Sequence, residues 1–165
     1  MLHIDTILHP TDLSDSAGHA LQLARSLARD HGARLVLLNV VVPPIPVTEV
    51  YIPNGELVEL MDQQCRHMAD LAAQIQDVPV ETHVVQGQPG AAIVSVAERC
   101  QADLIVMGTH GRSGITRMLL GSVAEVVMRQ AHCPVLTVKP GKADRVPTEE
   151  TEAQAQQARM AWATI

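Results

Sequence analysis

Aromatic side chains are almost missing from this chain: one Tyr, one Trp and no Phe in 165 residues. That argues against a single-strand nucleic-acid binder, which stacks bases on a row of rings. Positive charge is also short. Twelve Lys and Arg stand against eighteen Asp and Glu, a net −6 with His neutral. A duplex or an anionic membrane surface is then a poor partner, because affinity for either accumulates from cationic contacts. No apolar run reaches the ~18 to 20 residues that cross a bilayer. The chain does not open on a basic segment followed by a long apolar run, so no secretory signal is expected. Cys65, Cys100 and Cys133 are odd in number and without a close pair. This argues against a disulfide framework and a CxxC metal or redox motif; small buried thiols in a reducing cytoplasm are expected instead.

What is present is apolar residues, 47% of the chain, enough for one domain with its own core. Strand-like and helix-like segments alternate. Residues 4–9 form a short β-type run. Ser14 and Asp15 offer N-caps to a helix striped by Ala17, Ala20, Leu21, Ala24, Leu27 and Ala28, and Gly32 fits its C-cap. Residues 35–42 form an apolar run, the mark of a strand buried on both faces. A Pro-rich loop at 43–55 precedes a helix over 56–76. Residues 80–85 read as a third strand, and Pro89 suits the first position of a third helix. Residues 104–107 and 134–138 are further strands, with a helix striped by Val123, Val126, Val127 and Ala131 between them. Five strands with intervening helices predict a mostly parallel α/β sheet covered on both faces, with its ligand beyond the carboxyl ends of the strands. Residues 1–140 read as the domain. Residues 141–165 differ in composition and read either as a frayed tail or as a short helix docking on this domain or on a second copy.

The strongest chemical signal follows the fourth strand: Gly108-Thr109-His110-Gly111, nine residues, then Gly121-Ser122. Glycines let backbone approach an anion without a Cβ in the way. The free N–H groups and dipole of the following helix favour negative charge there. The Ser122 hydroxyl can donate to a phosphate oxygen, and Arg112 and Arg117 could neutralise charge. No Gly-Lys-Ser/Thr occurs, so this is not a Walker A loop, and no GxGxxG indicates a dinucleotide. Asp12 suits an Asx-type turn into the first helix. The eight histidines show no ligand spacing, and no metal-binding residues are expected.

Gly108-x-x-Gly111, nine residues, Gly121-Ser122 resembles the G-2x-G-9x-G-S/T pattern of the ATP-binding universal stress proteins. The stretches 103–107, 119–124 and 132–138 look like the family's flanking segments, and His9-Pro10-Thr11-Asp12-Leu13-Ser14 looks like its opening motif. The resemblance covers about residues 4–139. It implies a three-layer α/β/α sandwich, adenine nucleotide alpha-hydrolase-like, whose five-stranded parallel sheet has the order 3-2-1-4-5. It implies a homodimer paired through the fifth strand, residues 135–138, and ATP, or another adenine nucleotide such as AMP or a cyclic one, as ligand. Carried over by position, Pro10, Thr11 and Asp12 flank the nucleoside, with Asp12 on the ribose. Val40 offers backbone groups to the adenine, and Met107 and Gly108 lie against base or sugar. His110, Gly111, Arg112, Gly121, Ser122 and Val123 surround the phosphates. Ala124 stands where several members carry a hydroxyl, leaving only its backbone N–H for that contact.

Two functions follow as expectations. The first is a cytoplasmic, nucleotide-dependent stress or regulatory protein, at most a weak ATPase, because the loop has no lysine and no Glu or Gln to orient a water. Mg²⁺ or Mn²⁺ would then enter with the triphosphate. The alternative is a dimeric interaction module that needs no nucleotide and meets an unidentified protein partner through the 43–55 loop and the tail.

Overall fold

The computed structural model describes residues 3–43, 54–109 and 121–139. Five strands, β1 (Thr6–Pro10), β2 (Arg34–Val41), β3 (Val80–Gln86), β4 (Leu104–Gly108) and β5 (Val135–Val138), alternate with four helices. These are α1 (Asp15–His31), α2 (Asn54–Ala73), α3 (Pro89–Arg99) and α4 (Ser122–Gln130). All the strand pairings are parallel, and the order is β3-β2-β1-β4-β5, as expected.

Helices cover both faces of the sheet. Leu8, Val36, Leu38, Ile105 and Met107 point to one side and meet Ile93 and Val96 of α3 and Val127 of α4. Ile7, Leu35, Leu37 and Val106 point to the other and meet Ala24 and Ala28 of α1 and Met68 of α2. The period of two along β2 therefore feeds two cores, which is why that strand reads as one apolar run. Alanines on the inner stripe of α1 let it lie close on the sheet. Gly32 ends α1 at φ +67°, a left-handed conformation, and Ala33 N–H returns to the Ala28 carbonyl at 2.8 Å. Gly90 is required by packing: a Cβ there would stand 2.6 Å from Val126 Cγ1 and 2.9 Å from Val126 Cβ, where α3 crosses α4.

The amino end of the sheet is closed by side-chain clamps. Asp103 Oδ2 accepts from the N–H groups of Asp5 and Thr6, each at 2.9 Å. Arg34 donates to Thr6 Oγ1 at 3.0 Å, to Glu81 at 3.0 Å and to the Cys100 carbonyl at 2.9 Å, joining β2, β1, β3 and the end of α3. The expectation of buried thiols needs correcting. Cys65, expected on the apolar stripe of α2 with Leu60, Met61, Met68 and Leu71, is exposed, and Cys100 and Cys133 are half-buried. Burial pushes both half-buried thiols up, away from the reactive thiolate. The helix expected over 56–76 begins at Asn54 and ends at Ala73; the N–H groups of Gln74 and Ile75 close three-residue turns onto Leu71 and Ala72 instead. Residues 44–53, most of the Pro-rich loop, and the 140–165 tail lie outside the described residues.

Candidate functional site

The carboxyl end of the sheet opens into a cleft of about 630 Å³. Three short segments build its floor and walls. The first is the turn after β1. Proline at position 10 cannot donate a ladder hydrogen bond, so it belongs at a strand end. The β1–β4 pairing stops at Leu8–Ile105, while β1 stays paired with β2 as far as Pro10–Leu38. Thr11 N–H then reaches the Leu38 carbonyl at 2.8 Å. Thr11 Oγ1 accepts from Leu13 N–H at 3.1 Å, and Asp12 Oδ1 accepts from Ser14 N–H at 3.1 Å and from the Ser14 hydroxyl at 2.5 Å. These bonds close an Asx-type turn and hold Leu13 at φ +62°, where a non-glycine residue is strained. The Asx reading of Asp12 and its placement in the cleft are thus both realised.

The second segment is the end of β4 with the start of α4. Thr109 N–H donates to the Val138 carbonyl at 3.0 Å, and Gly121 N–H returns to the Thr109 carbonyl at 2.8 Å. This brings Gly121 beside the strand end. Gly121 is the N-cap of α4 and has no side chain to accept from the first turn. Among the described residues no acceptor meets the N–H groups of Ser122, Val123 and Ala124, and all three residues line the cleft. Three aligned donors at the positive end of a helix dipole make an anion site.

The third segment is the end of β2 with parts of α2 and α3. Val40, Val41 and Val42 of the β2 end, Leu60 of α2, and Pro89 and Ile93 of α3 give the cleft an apolar end. Asn39 and Gln64 add two amides there.

Ten of the thirteen residues expected from the sequence therefore line one cleft: Pro10, Thr11, Asp12, Val40, Met107, Gly108, Gly121, Ser122, Val123 and Ala124. The other three, His110, Gly111 and Arg112, lie outside the described residues. Among the described residues no group of three or more His, Cys, Asp or Glu is arranged to hold a metal ion.

Sequence reasoning missed His9. It is fully buried under the cleft's floor. Its Nδ1 donates to the Val106 carbonyl at 2.8 Å, and its Nε2 is buried without a partner. Burial drives its pKa down to about 4, opposed by the Val106 bond and the Asp12 charge. The ring is neutral and ties β1 to β4 where the ladder has ended. Asn39 and Gln64 were missed too; an amide inside an apolar run and one on a helix flank carry no motif.

A cleft outside the carboxyl ends of a parallel sheet, with an uncapped helix at one end and an apolar wall at the other, fits a phosphorylated ligand with a flat apolar part. Comparison with known proteins agrees. The sequence profile of the universal stress protein family matches residues 3–139. The chain is 39% identical over 140 residues to the universal stress protein MJ0531 of Methanocaldococcus jannaschii, covering 82% of each chain. The solved structure of MJ0577 superposes with a TM-score of 0.75 at 31% identity, covering 86% of this chain and 99% of that one. A universal stress protein solved in complex with cAMP superposes with a TM-score of 0.61 at 29% identity, covering 82% and 97%. The glycine spacing, the sheet order and these matches converge, and the chain belongs to the universal stress protein family.

Proposed function

We propose that this chain binds ATP, or a closely related adenine nucleotide, in the carboxyl-end cleft, and works as a nucleotide-dependent regulator rather than as a fast enzyme. The observation that carries this reading is the uncapped start of α4, with Gly121 and the N–H groups of Ser122, Val123 and Ala124 at one end of a 630 Å³ cleft whose other end is apolar. The phosphates lie on those amides, where His110, Gly111 and Arg112 of the glycine-rich loop add to the same end. The ribose lies by Asp12 and the Pro10–Thr11 backbone. The base lies against Val40, and Met107 and Gly108 lie against base or sugar. A related structure with cAMP supports the adenine nucleotide class.

Turnover is slow or absent. The loop has no lysine to reach the terminal phosphates and no Glu or Gln to orient a water. Mg²⁺ or Mn²⁺ arrives with the triphosphate. The protein works in the cytoplasm as a homodimer through β5, an edge strand on which Leu136 is 38% exposed. Among the described residues no helix is long and apolar enough to cross a membrane.

The test is direct. Purified protein is denatured and the released small molecules are identified, and melting is followed with ATP at millimolar concentration. Release of an adenine nucleotide, or a rise in melting temperature, is expected. If no adenine nucleotide is released and ATP does not shift melting, the reading is overturned in favour of the nucleotide-independent module.

A further inference from the structure

Asn39 lines the cleft, yet neither the family pattern nor the nucleotide reading gives it a part. Its residue exposure is 6%. Its Nδ2 donates to the Thr11 carbonyl at 2.9 Å. A carbonyl only accepts, so this bond fixes which way the amide faces: nitrogen to Thr11, Oδ1 away. Rotating the amide by half a turn would set oxygen against oxygen. Among the described residues nothing donates to Oδ1. Among the described residues the fully buried side-chain atoms left without a partner are His9 Nε2 and His19 Nδ1, and Asn39 Oδ1 is not one of them. The small exposure that Asn39 retains therefore opens on the cleft it lines. The result is a rigid acceptor that cannot turn into a donor.

The sheet order says which part of a ligand meets it. From the phosphate end at β4 and α4, the next strand is β1, with Asp12 in its turn, and the next is β2, with Asn39. Neighbouring strands lie ~4.8 Å apart, so β2 stands roughly 10 Å from β4. Phosphate, sugar and base follow one another over a similar span in a nucleotide. The base thus comes to rest at the level of Asn39, Val40 and Gln64.

We propose that Asn39 is the base-selecting residue of this cleft: its Oδ1 accepts an N–H of a purine 6-amino group and opposes a 6-oxo oxygen. The proposal rests on the nucleotide reading above and deepens it. A site holding a fixed buried acceptor rejects the analogue that lacks the donor, because that acceptor is then left unpaired.

Calorimetric titration of the full chain with ATP and with inosine triphosphate tests it. The unmodified protein is expected to bind ATP at least about tenfold more tightly than inosine triphosphate. In Asn39→Val that ratio collapses to within about threefold, while melting reports an intact fold. Asn39→Ser, which removes the same oxygen with less bulk, serves if the valine variant does not fold. Equal affinities in the unmodified protein overturn the proposal. So does a variant in which both nucleotides weaken together and the ratio survives, because Asn39 would then only clamp Thr11. If neither nucleotide binds the unmodified protein, the nucleotide reading itself fails and takes this one with it.

Discussion

α1 and α4 both begin on the cleft, and they begin differently. α1 caps itself: Ser14 Oγ accepts from Ala17 N–H at 3.3 Å while donating to Asp12. α4 starts on Gly121, whose N–H is committed to Thr109 and which has no side chain to offer. The nearest acidic residue of α4, Glu125, is paired with Arg129 at 3.0 Å. One helix is satisfied by its own turn, and among the described residues nothing meets the first donors of the other. The same division separates the two ends of the sheet. At the amino end Asp103 and Arg34 each bind several partners, and at the carboxyl end donors and an acceptor stay open around one cavity. Unmet hydrogen-bonding groups gathered around one cavity are where the proposed ligand would complete the structure.

The sharpest way to break this contrast is to cap α4. Gly121→Asp puts a carboxylate where the phosphates are proposed to lie. ATP affinity is expected to fall more than about a hundredfold by charge repulsion and occupancy. Stability should hold or rise by a few tenths of a kcal/mol, because aspartate is the better N-cap. Titration beside a melting curve reads both. ATP binding that survives the substitution would move the phosphates away from α4.

The second test concerns the tie beneath both helices. His9 joins β1, which leads into α1, to β4, which leads towards α4. Its folded pKa of about 4 lies below the unfolded value of 6.5. Between those values the unfolded chain takes up a proton that the folded chain refuses, so stability falls as pH drops from 6.5 towards 4. No such loss arises above 6.5, where both states are neutral. The full loss is about 3 kcal/mol. Denaturant unfolding at a series of pH values should show the slope, and His9→Gln should flatten it in that window.

Gly90→Ala comes third. Its Cβ would meet Val126 at 2.6 and 2.9 Å, too close for the branched side chain to swing clear. α3 and α4 must part, at a cost of about 2 kcal/mol. Because Val126 lies in α4, ATP affinity should drop along with the melting temperature.

Much of this architecture was legible from residue order. Ser14, Gly32 and Pro89 sit at the helix ends where their backbone chemistry places them, and the run along β2 is buried on both sides as its composition demands. Strand ends were less legible. β1 starts two residues later than expected, at Thr6, and β1 and β4 each run one residue further, to Pro10 and Gly108, because a parallel ladder extends as long as its neighbour supplies a partner, here Leu38 and Val138. The cleft divides along the same line. Gly108, Gly121 and Ser122 announce themselves, because they stand in a recognisable spacing after a strand. Asn39, Gln64 and His9 do not, because their roles depend on which way a strand or helix faces after folding. The exposure of Cys65 was missed for the same reason: the pattern fixes the rotation of a helical stripe only coarsely.

The smallest effect tests the other half of the opening contrast. Ser14→Ala removes the acceptor of Ala17 N–H and the donor to Asp12. Losing an N-cap costs about 1 kcal/mol. If α1 is capped for stability and α4 is left open for binding, the two properties must separate: this variant should melt lower yet bind ATP within about threefold of the unmodified protein. Ser14→Asp restores an acceptor for the helix but sets a second carboxylate beside Asp12, so it should recover only part of the loss. A large drop in ATP affinity on Ser14→Ala would show that the Asp12 turn, and not only the start of α4, must be held in place for the nucleotide, and the division between a structural helix start and a binding one would dissolve.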